Sequence, residues 1–293
     1  MPALRAMVAA AASVALFATA ACSLLYDPDD LTRDRDKPLG DAAASNVDAA
    51  SGSYAAAVLA DAPLGYYRFD DASGSTTAAD SSPHHTDCSY SDGVVHGGKG
   101  ALEGDSSTSI RFGGHDFVSC GDHFSFDGDV PFSIELWIQV DLSTAFDTFY
   151  RRLLSREGSD PNAQQGYGVL FHREDRLLVE LTRWDVSSGK PQYSGGTFDG
   201  NGTLATTSGF DHVVFTYTSG RVVFYVNDKV VVDDPSSGTI QNASSAIFVL
   251  GATTYDLPDE GAGFVGSMDE VAIYDHVLTS DRVDAHYRAA TGR

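Results

Sequence analysis

The chain has 293 residues, 42% of them hydrophobic and 29 of them glycine, with a formal net charge of −22. That length holds one large all-β domain or two small ones. The acidic balance excludes nucleic acid and disfavours anionic membranes, where binding draws on cationic side chains. It is compatible with a soluble exported protein and with calcium, a hard cation that prefers oxygen ligands.

The first 21 residues, MPALRAMVAAAASVALFATAA, carry one positive charge at Arg5 and then an uncharged stretch from Ala6 to Ala21. That stretch is short for a membrane span, which needs about 20 apolar residues, and it suits the core of a signal peptide. Its small residues run into Cys22. The site Thr19-Ala20-Ala21-Cys22 resembles a bacterial lipoprotein processing site, with Thr19 where leucine is usual. The resemblance implies that Cys22 becomes a lipid-modified first residue; ordinary cleavage near Ala20 or Ala21 is the alternative. Residues 22–53, rich in Asp, Ala, Ser and Pro, lack apolar periodicity and read as a flexible tether. Both routes place the folded part, residues 54–290, outside the cytoplasm: the anchor implies the bacterial cell envelope, as an outer-membrane lipoprotein or at the cell surface, and ordinary cleavage a soluble secreted protein. Cys88 and Cys120 form an even pair, which in an exported protein reads as a disulfide between neighbouring strands TDCSYSDG and DFVSCGD, with free buried thiols as the alternative.

Strand signals follow in series. A short helical turn over 54–63 comes first. FSIELWIQV, 132–140, alternates strictly and predicts a half-buried antiparallel strand. GYGVLFH at 166–172 and RLLVELTRW at 176–184 continue the series, with a long loop expected over 185–203. HVVFTY (212–217) turns into RVVFYV (221–226). Asn227-Asp228 then turns the chain into KVVVD, because both residues tolerate left-handed backbone. AIFVLGA (246–252) and FVGSMDEVAIY (264–274) close the set. A helix starts after Thr279, with Thr279 as N-cap and Leu278 and Val283 as a hydrophobic staple. Many short strands without βαβ alternation predict an all-β sandwich or barrel.

Several segments, in this order, resemble the laminin-G-like jelly rolls of the concanavalin A-like lectin/glucanase superfamily. They are APLGYYRFDD, AADSSP, FSIELWIQV, GYGVLF, DHVVFTYTSGRVVFYVNDKVV and FVGSMDEVAIYDHVLTSDRVDAHY, and they span about residues 54 to 290. Phe210-Asp211 replaces the usual Trp-His, and Asp228 stands where glycine is usual. The resemblance implies a jelly roll of two antiparallel sheets, one concave, with ligands in its groove or on rim loops. Members range from glycosidases to adhesion modules, so the fold does not fix the function.

The signatures of catalysis are thin. A retaining glycosidase needs two carboxylates about 5–5.5 Å apart. The glucanase branch supplies them from a Glu-x-Asp-x-Glu strand, which this sequence lacks. Glu135 is followed on its face by Trp137, Gln139 and Asp141. Asp269 and Glu270 are adjacent, and strand parity sends them to opposite faces. Gly261-Ala-Gly263-Phe-Val-Gly266 formally matches a dinucleotide fingerprint, but a strand follows where a helix is required. It reads as a turn before the last strand. There is no Gly-x-Ser-x-Gly and no His-Glu-x-x-His. His84-His85 reads as a surface loop, and the sequons at Asn201 and Asn242 are expected to stay bare.

These residues therefore predict a binding module rather than an enzyme. The ligand expected is a carbohydrate or cell-surface polymer, with protein adhesion and a divergent glycosidase as alternatives. Ser133, Glu135, Trp137 and Gln139 share one face of the clearest strand and form the first candidate set, with Trp137 as a core residue the competing reading. Trp184 with Asp185, and Tyr193, form the second. Parity places Asp269 with Val271 and Ile273 toward the core, where a carboxylate must be paired, hydrogen-bonded or metal-bound. Related sandwiches often bind a structural calcium near this strand. The resemblance implies Asp269, with Asp80 and backbone carbonyls, as its ligands; bonding to backbone N–H groups is the alternative.

Overall fold

The alternating stretch FSIELWIQV forms one unbroken strand, Phe132–Val140, at the centre of a two-sheet structure. The computed structural model describes residues 53–141, 150–158, 166–173, 177–185, 190–198, 209–235, 240, 246–253 and 263–293. Side chains are described for all of these except Tyr150 and residues 171–198. The signal segment, the tether with Cys22 and both sequons lie outside the described residues.

In chain order the first elements are α1 (Tyr54–Ala60), β1 (Gly65–Tyr67), β2 (Thr77–Ala78), β3 (Cys88–Tyr90), β4 (Val95–Lys99), β5 (Thr108–Gly113), β6 (Val118–Ser119), β7 (Phe132–Val140) and β8 (Tyr150–Glu157). Then come β9 (Gly166–Arg173), β10 (Leu177–Asp185), β11 (Lys190–Phe198), β12 (Asp211–Thr218), β13 (Arg221–Val226), β14 (Lys229–Asp234), β15 (Val249–Leu250), β16 (Val265–Tyr274) and α2 (Ser280–Thr291). One sheet runs β14-β13-β12-β7-β16-β5-β4, with β1 also paired to β16. The other runs β11-β10-β9-β8-β15-β6-β3-β2. The pairings between these strands are antiparallel, so the all-β jelly-roll expectation holds.

Phe132, Ile134, Leu136 and Ile138 point into the core between the sheets, against Leu153, Leu154, Val169 and Phe248 of the second sheet region. Each such side chain contributes about 1.5–3 kcal/mol on burial. The opposite face of β7 departs from expectation. Alternation predicts a solvated face, yet Ser133, Glu135 and Trp137 are buried and only Gln139 is partly open. The cause is a third layer, in which α1 and α2 roof the first sheet. Tyr54 and Val58 of α1 and Val283 of α2 form a second apolar cluster with Trp137 and Tyr274.

Local signals place these helices. Ser53 caps α1 through its hydroxyl, and Thr279 caps α2 by accepting the Arg282 N–H. Leu278 and Val283 are buried together in the second cluster, as the staple requires. Asn227 and Asp228 both take positive φ, 49° and 68°, at the β13–β14 turn. Cys88 and Cys120 are disulfide-bonded, at the ends of paired segments in which Ser89 faces Ser119. His84 and His85 are exposed. Two boundaries differ from expectation. The 185–203 segment carries strand β11, and AIFVLGA contributes only Val249–Leu250 to a sheet.

Candidate functional site

Glu135 is the hub of the roofed face. Its side chain is fully buried and accepts four hydrogen bonds. These come from Tyr54 Oη of α1 (2.9 Å), Tyr274 Oη of β16 (2.9 Å), His212 Nε2 of β12 (2.7 Å) and His286 Nδ1 of α2 (2.9 Å). Burial works to raise its pKa, but the charge of His286 and the bonds from both histidines hold the carboxyl well below the usual range. His286 completes the clamp, its Nε2 facing Ala57 O at 3.1 Å and Asp61 Oδ2 at 3.0 Å. Burial disfavours the imidazolium, yet Glu135 and then Asp61 raise the pKa of His286 overall. Arg282 adds a bond to Asp61 at 2.7 Å, so α1 and α2 are tied to each other and to β7.

This arrangement corrects the reading of Glu135 as a ligand-facing acid. Its oxygens are spent on protein donors beneath two helices. Ser133 is likewise committed, donating to His276 O and accepting from Leu278 N, both at 2.8 Å. The sequence shows Glu135 as one polar residue on a strand. His212, Tyr274, His286 and Tyr54 come from distant segments, and no local pattern links them.

Asp269 and Glu270 sit at a discontinuity. β16 pairs with β5 over Val265–Met268 and with β1 over Val271–Ile273. On its other edge, Asp269 faces Trp137 while Ala272 faces Glu135, so β16 carries one extra residue there. Glu270 takes φ 51° at this bulge. Met268 and Val271 both remain in the inter-sheet core, which leaves the two acids together on the other side. Strict alternation fails here, and Asp269 does not face the core. Its carboxylate accepts Ala101 N–H (2.8 Å) and Glu270 N–H (3.0 Å). Glu270 accepts the Tyr66 hydroxyl and the Arg68 Nε–H, the latter at 3.2 Å. Burial and the neighbouring Glu270 push Asp269 up to about 8. Burial pushes Glu270 to about 7, against the pull of Tyr66 and Arg68.

Asp80, the other expected metal ligand, accepts Tyr66 N–H, Ser82 N–H, Ser82 Oγ–H and Thr86 N–H at 2.7–2.8 Å. A cation at either acid would have to displace these donors. Among the described residues, no group of three or more His, Cys, Asp or Glu side chains is placed to hold a metal. Trp184 lies on strand β10, as expected, and Tyr193 on β11 rather than in a loop; the side chains of both are outside the described residues. Gly266, from the dinucleotide-like run, lies within β16 and not in a turn.

Trp137 and Gln139 do reach an opening. A pocket of about 880 Å³ lies beside the helical roof, walled by the glycine-rich stretch 97–109 and by Phe210, Tyr287 and Arg293. The stretch folds back closely on itself: a Cβ on Gly100 would lie 2.3 Å from Ser107 O. Trp137 stacks on His212 at 4.8 Å between ring centroids, and Tyr287 lies nearly parallel to both rings at about 6 Å. Two polar atoms of pocket-lining residues are buried without a hydrogen-bond partner, Trp137 Nε1 and Ser107 Oγ. Nothing in the local sequence marks Ser107 or the stretch 97–109 as a pocket wall.

The fold recurs in known proteins. The family model Laminin_G_3, described as the concanavalin A-like lectin/glucanases superfamily, matches residues 112–284. No curated protein matches the chain by sequence. Similar solved structures include domain 4 of AbnA, a GH43 extracellular arabinanase from Geobacillus stearothermophilus, in complex with arabinotriose. That match has 17% identity and TM-score 0.49, and covers 77% of this chain and 98% of that one. The botulinum neurotoxin serotype D ligand binding domain in complex with N-acetylneuraminic acid matches at 13% identity and TM-score 0.55, covering 80% of this chain and 52% of that one. The binding domain of Paraclostridial Mosquitocidal Protein 1 matches at 15% identity and TM-score 0.55, covering 78% and 52%. This chain thus spans about half the length of the toxin binding domains it matches. Family match and two-sheet topology agree: the chain belongs to the concanavalin A-like lectin/glucanases superfamily, with a laminin-G-type domain.

Proposed function

We propose that this chain is an exported binding module that recognises a glycan or a related surface polymer and performs no chemistry on it. The pocket beside the helical roof carries the reading. Its walls offer the partly open rings of Phe210 and Tyr287, and its residues hold two buried polar atoms with bonds still to make. The lining is mixed, with glycine, serine, threonine and charged residues beside the aromatic rings, and fixed polar groups of this kind orient a small ligand. A sugar ring presents an apolar face to aromatics and hydroxyls to such groups. The toxin domain solved with N-acetylneuraminic acid supports the view that this fold accommodates a saccharide.

Binding without turnover is supported by Glu135, whose buried oxygens are already saturated by protein donors. The N-terminal stretch ending in Cys22 supports export, with Cys22 as the lipid-bearing residue of an envelope protein. A glycan array probed with the full chain tests the reading, with binding to at least one glycan expected. An empty array overturns it. Hydrolysis of a β-glucan that disappears in Glu135→Gln would overturn the absence of chemistry. Mass spectrometry of the Cys22 peptide tests the anchor, and an unmodified thiol would remove it.

A further inference from the structure

We infer that the pocket selects a carboxylate-bearing sugar, an inference that rests on the glycan reading above. The balance of donors and acceptors around the pocket carries it. The chain's formal charge is −22, yet two cations line this opening, Lys99 of β4 and Arg293 beyond α2. Among the described residues, neither forms an ion pair. Most of the acids lining the same pocket are already engaged. Asp105 accepts the Ser107 N–H at 3.0 Å and pairs with Arg68 at 3.7 Å. Asp211 accepts Asn227 Nδ2–H at 2.6 Å. Glu103 is the remaining acid, and it is exposed.

The unsatisfied groups point the same way. An indole N–H can only donate, and Trp137 Nε1, buried in a residue that lines the pocket, has no acceptor within the protein. The Ser107 hydroxyl can donate as well. An ammonium and a guanidinium bond most strongly to an ionised acceptor, because charge-assisted bonds are about twice as strong as neutral ones. Arg293 stands 6.0 Å over the Tyr287 ring. A carboxylate on a ring lying near Tyr287 therefore meets a cation where the ring meets an aromatic face. A neutral sugar would fill the same space and leave Lys99 and Arg293 without a counter-charge.

The test follows the Trp137 indole N–H by two-dimensional NMR in the full chain. The chain has two tryptophans, and Trp137→Phe identifies the peak. Sodium glucuronate and galacturonate are titrated against glucose and galactose. We expect an acid to move the peak at a concentration at least tenfold lower than its neutral parent. That preference should shrink with added salt and vanish in Lys99→Ala/Arg293→Ala, two exposed positions whose loss leaves the fold intact. Equal titration by acid and parent, or a preference that survives the double variant, overturns the inference while the glycan reading stands. A Trp137 peak that no sugar moves, beside a positive glycan array, places the ligand elsewhere and also overturns it. An empty array sinks the glycan reading itself.

Discussion

His286 Nδ1 lies 2.9 Å from a Glu135 carboxylate oxygen, and both side chains are fully buried. The other ring nitrogen faces Ala57 O and Asp61 Oδ2, with Arg282 Nη2 at 3.4 Å; Glu135 and Asp61 outweigh burial and the guanidinium, so the balance favours the imidazolium. Truncating one partner of such a pair leaves an uncompensated buried charge, at a cost of about 3–5 kcal/mol. His286→Ala and Glu135→Gln should each lower unfolding free energy by that order in urea titrations. The double variant should lose less than the sum of the two, and additive losses would show that the pair is not coupled.

The same pair sets a pH window. The pKa of His286 is raised in the folded state, so its contribution is full below the unfolded value of about 6.5 and is lost as pH rises through the folded one. The pKa of Glu135 is lowered, so its contribution is present above the unfolded value of about 4.3 and is lost as pH falls through the folded one. The pair therefore contributes most between about pH 4.3 and 6.5. Melting temperatures recorded against pH should fall above this window, and His286→Gln should flatten that fall. An unchanged profile in the variant would remove His286 as its source.

Asp269 and Glu270 add a second slope of the same sign. Their folded pKa values, about 8 and about 7, stand above those of free carboxyls. Their stabilising contribution is complete below about pH 4 and is lost as pH rises through 7 and 8. Asp269→Asn keeps an acceptor for the Ala101 N–H and removes the ionisation. Its urea midpoint should change less than wild type between pH 5 and pH 9. Parallel midpoints in the two proteins would contradict the assignment.

Cys88 and Cys120 close a loop with a sequence separation of 32. A cross-link of this kind stabilises by about 2–4 kcal/mol, chiefly by restricting the unfolded chain. Cys88→Ser/Cys120→Ser should lose that amount in equilibrium unfolding under oxidising conditions. Reducing agent should shift the wild-type melting temperature and leave the double variant unmoved.

Gly266 has φ 149° within β16, and a Cβ there would lie 2.2 Å from Gln139 O on β7. Gly266→Ala must either distort that strand pair or separate it, at a cost of about 2–3 kcal/mol. Circular dichroism melting tests this, and a variant as stable as wild type would show that the pair relaxes freely.

Much of the architecture was legible because it depends on near neighbours. Alternation in FSIELWIQV defines β7 to the residue, and Asn227-Asp228 announces its turn. Thr279, Leu278 and Val283 announce the start of α2. Of the short strands, β3 and β6 were legible as neighbours through the cysteine pair, whereas β1, β2, β4 and β5 were not, since two to six residues give too few repeats to establish a period.

The candidate site was legible only in part. Trp137 and Gln139 were identified and do line the pocket, while Ser107, Phe210, Tyr287 and Arg293 join it through the tertiary structure.

By itself the sequence determined most of the longer strands, the capped closing helix and the membership of a sandwich family. These follow from side-chain period and backbone preference over a few residues. Only the tertiary structure decided which faces are covered. His286 reaches Glu135 across 151 positions, turning a strand residue with a solvated look into a buried hub. The extra residue at Asp269–Glu270 is equally nonlocal, because a bulge exists only relative to a partner strand. It brings both acids to one side, where period-two counting separates them.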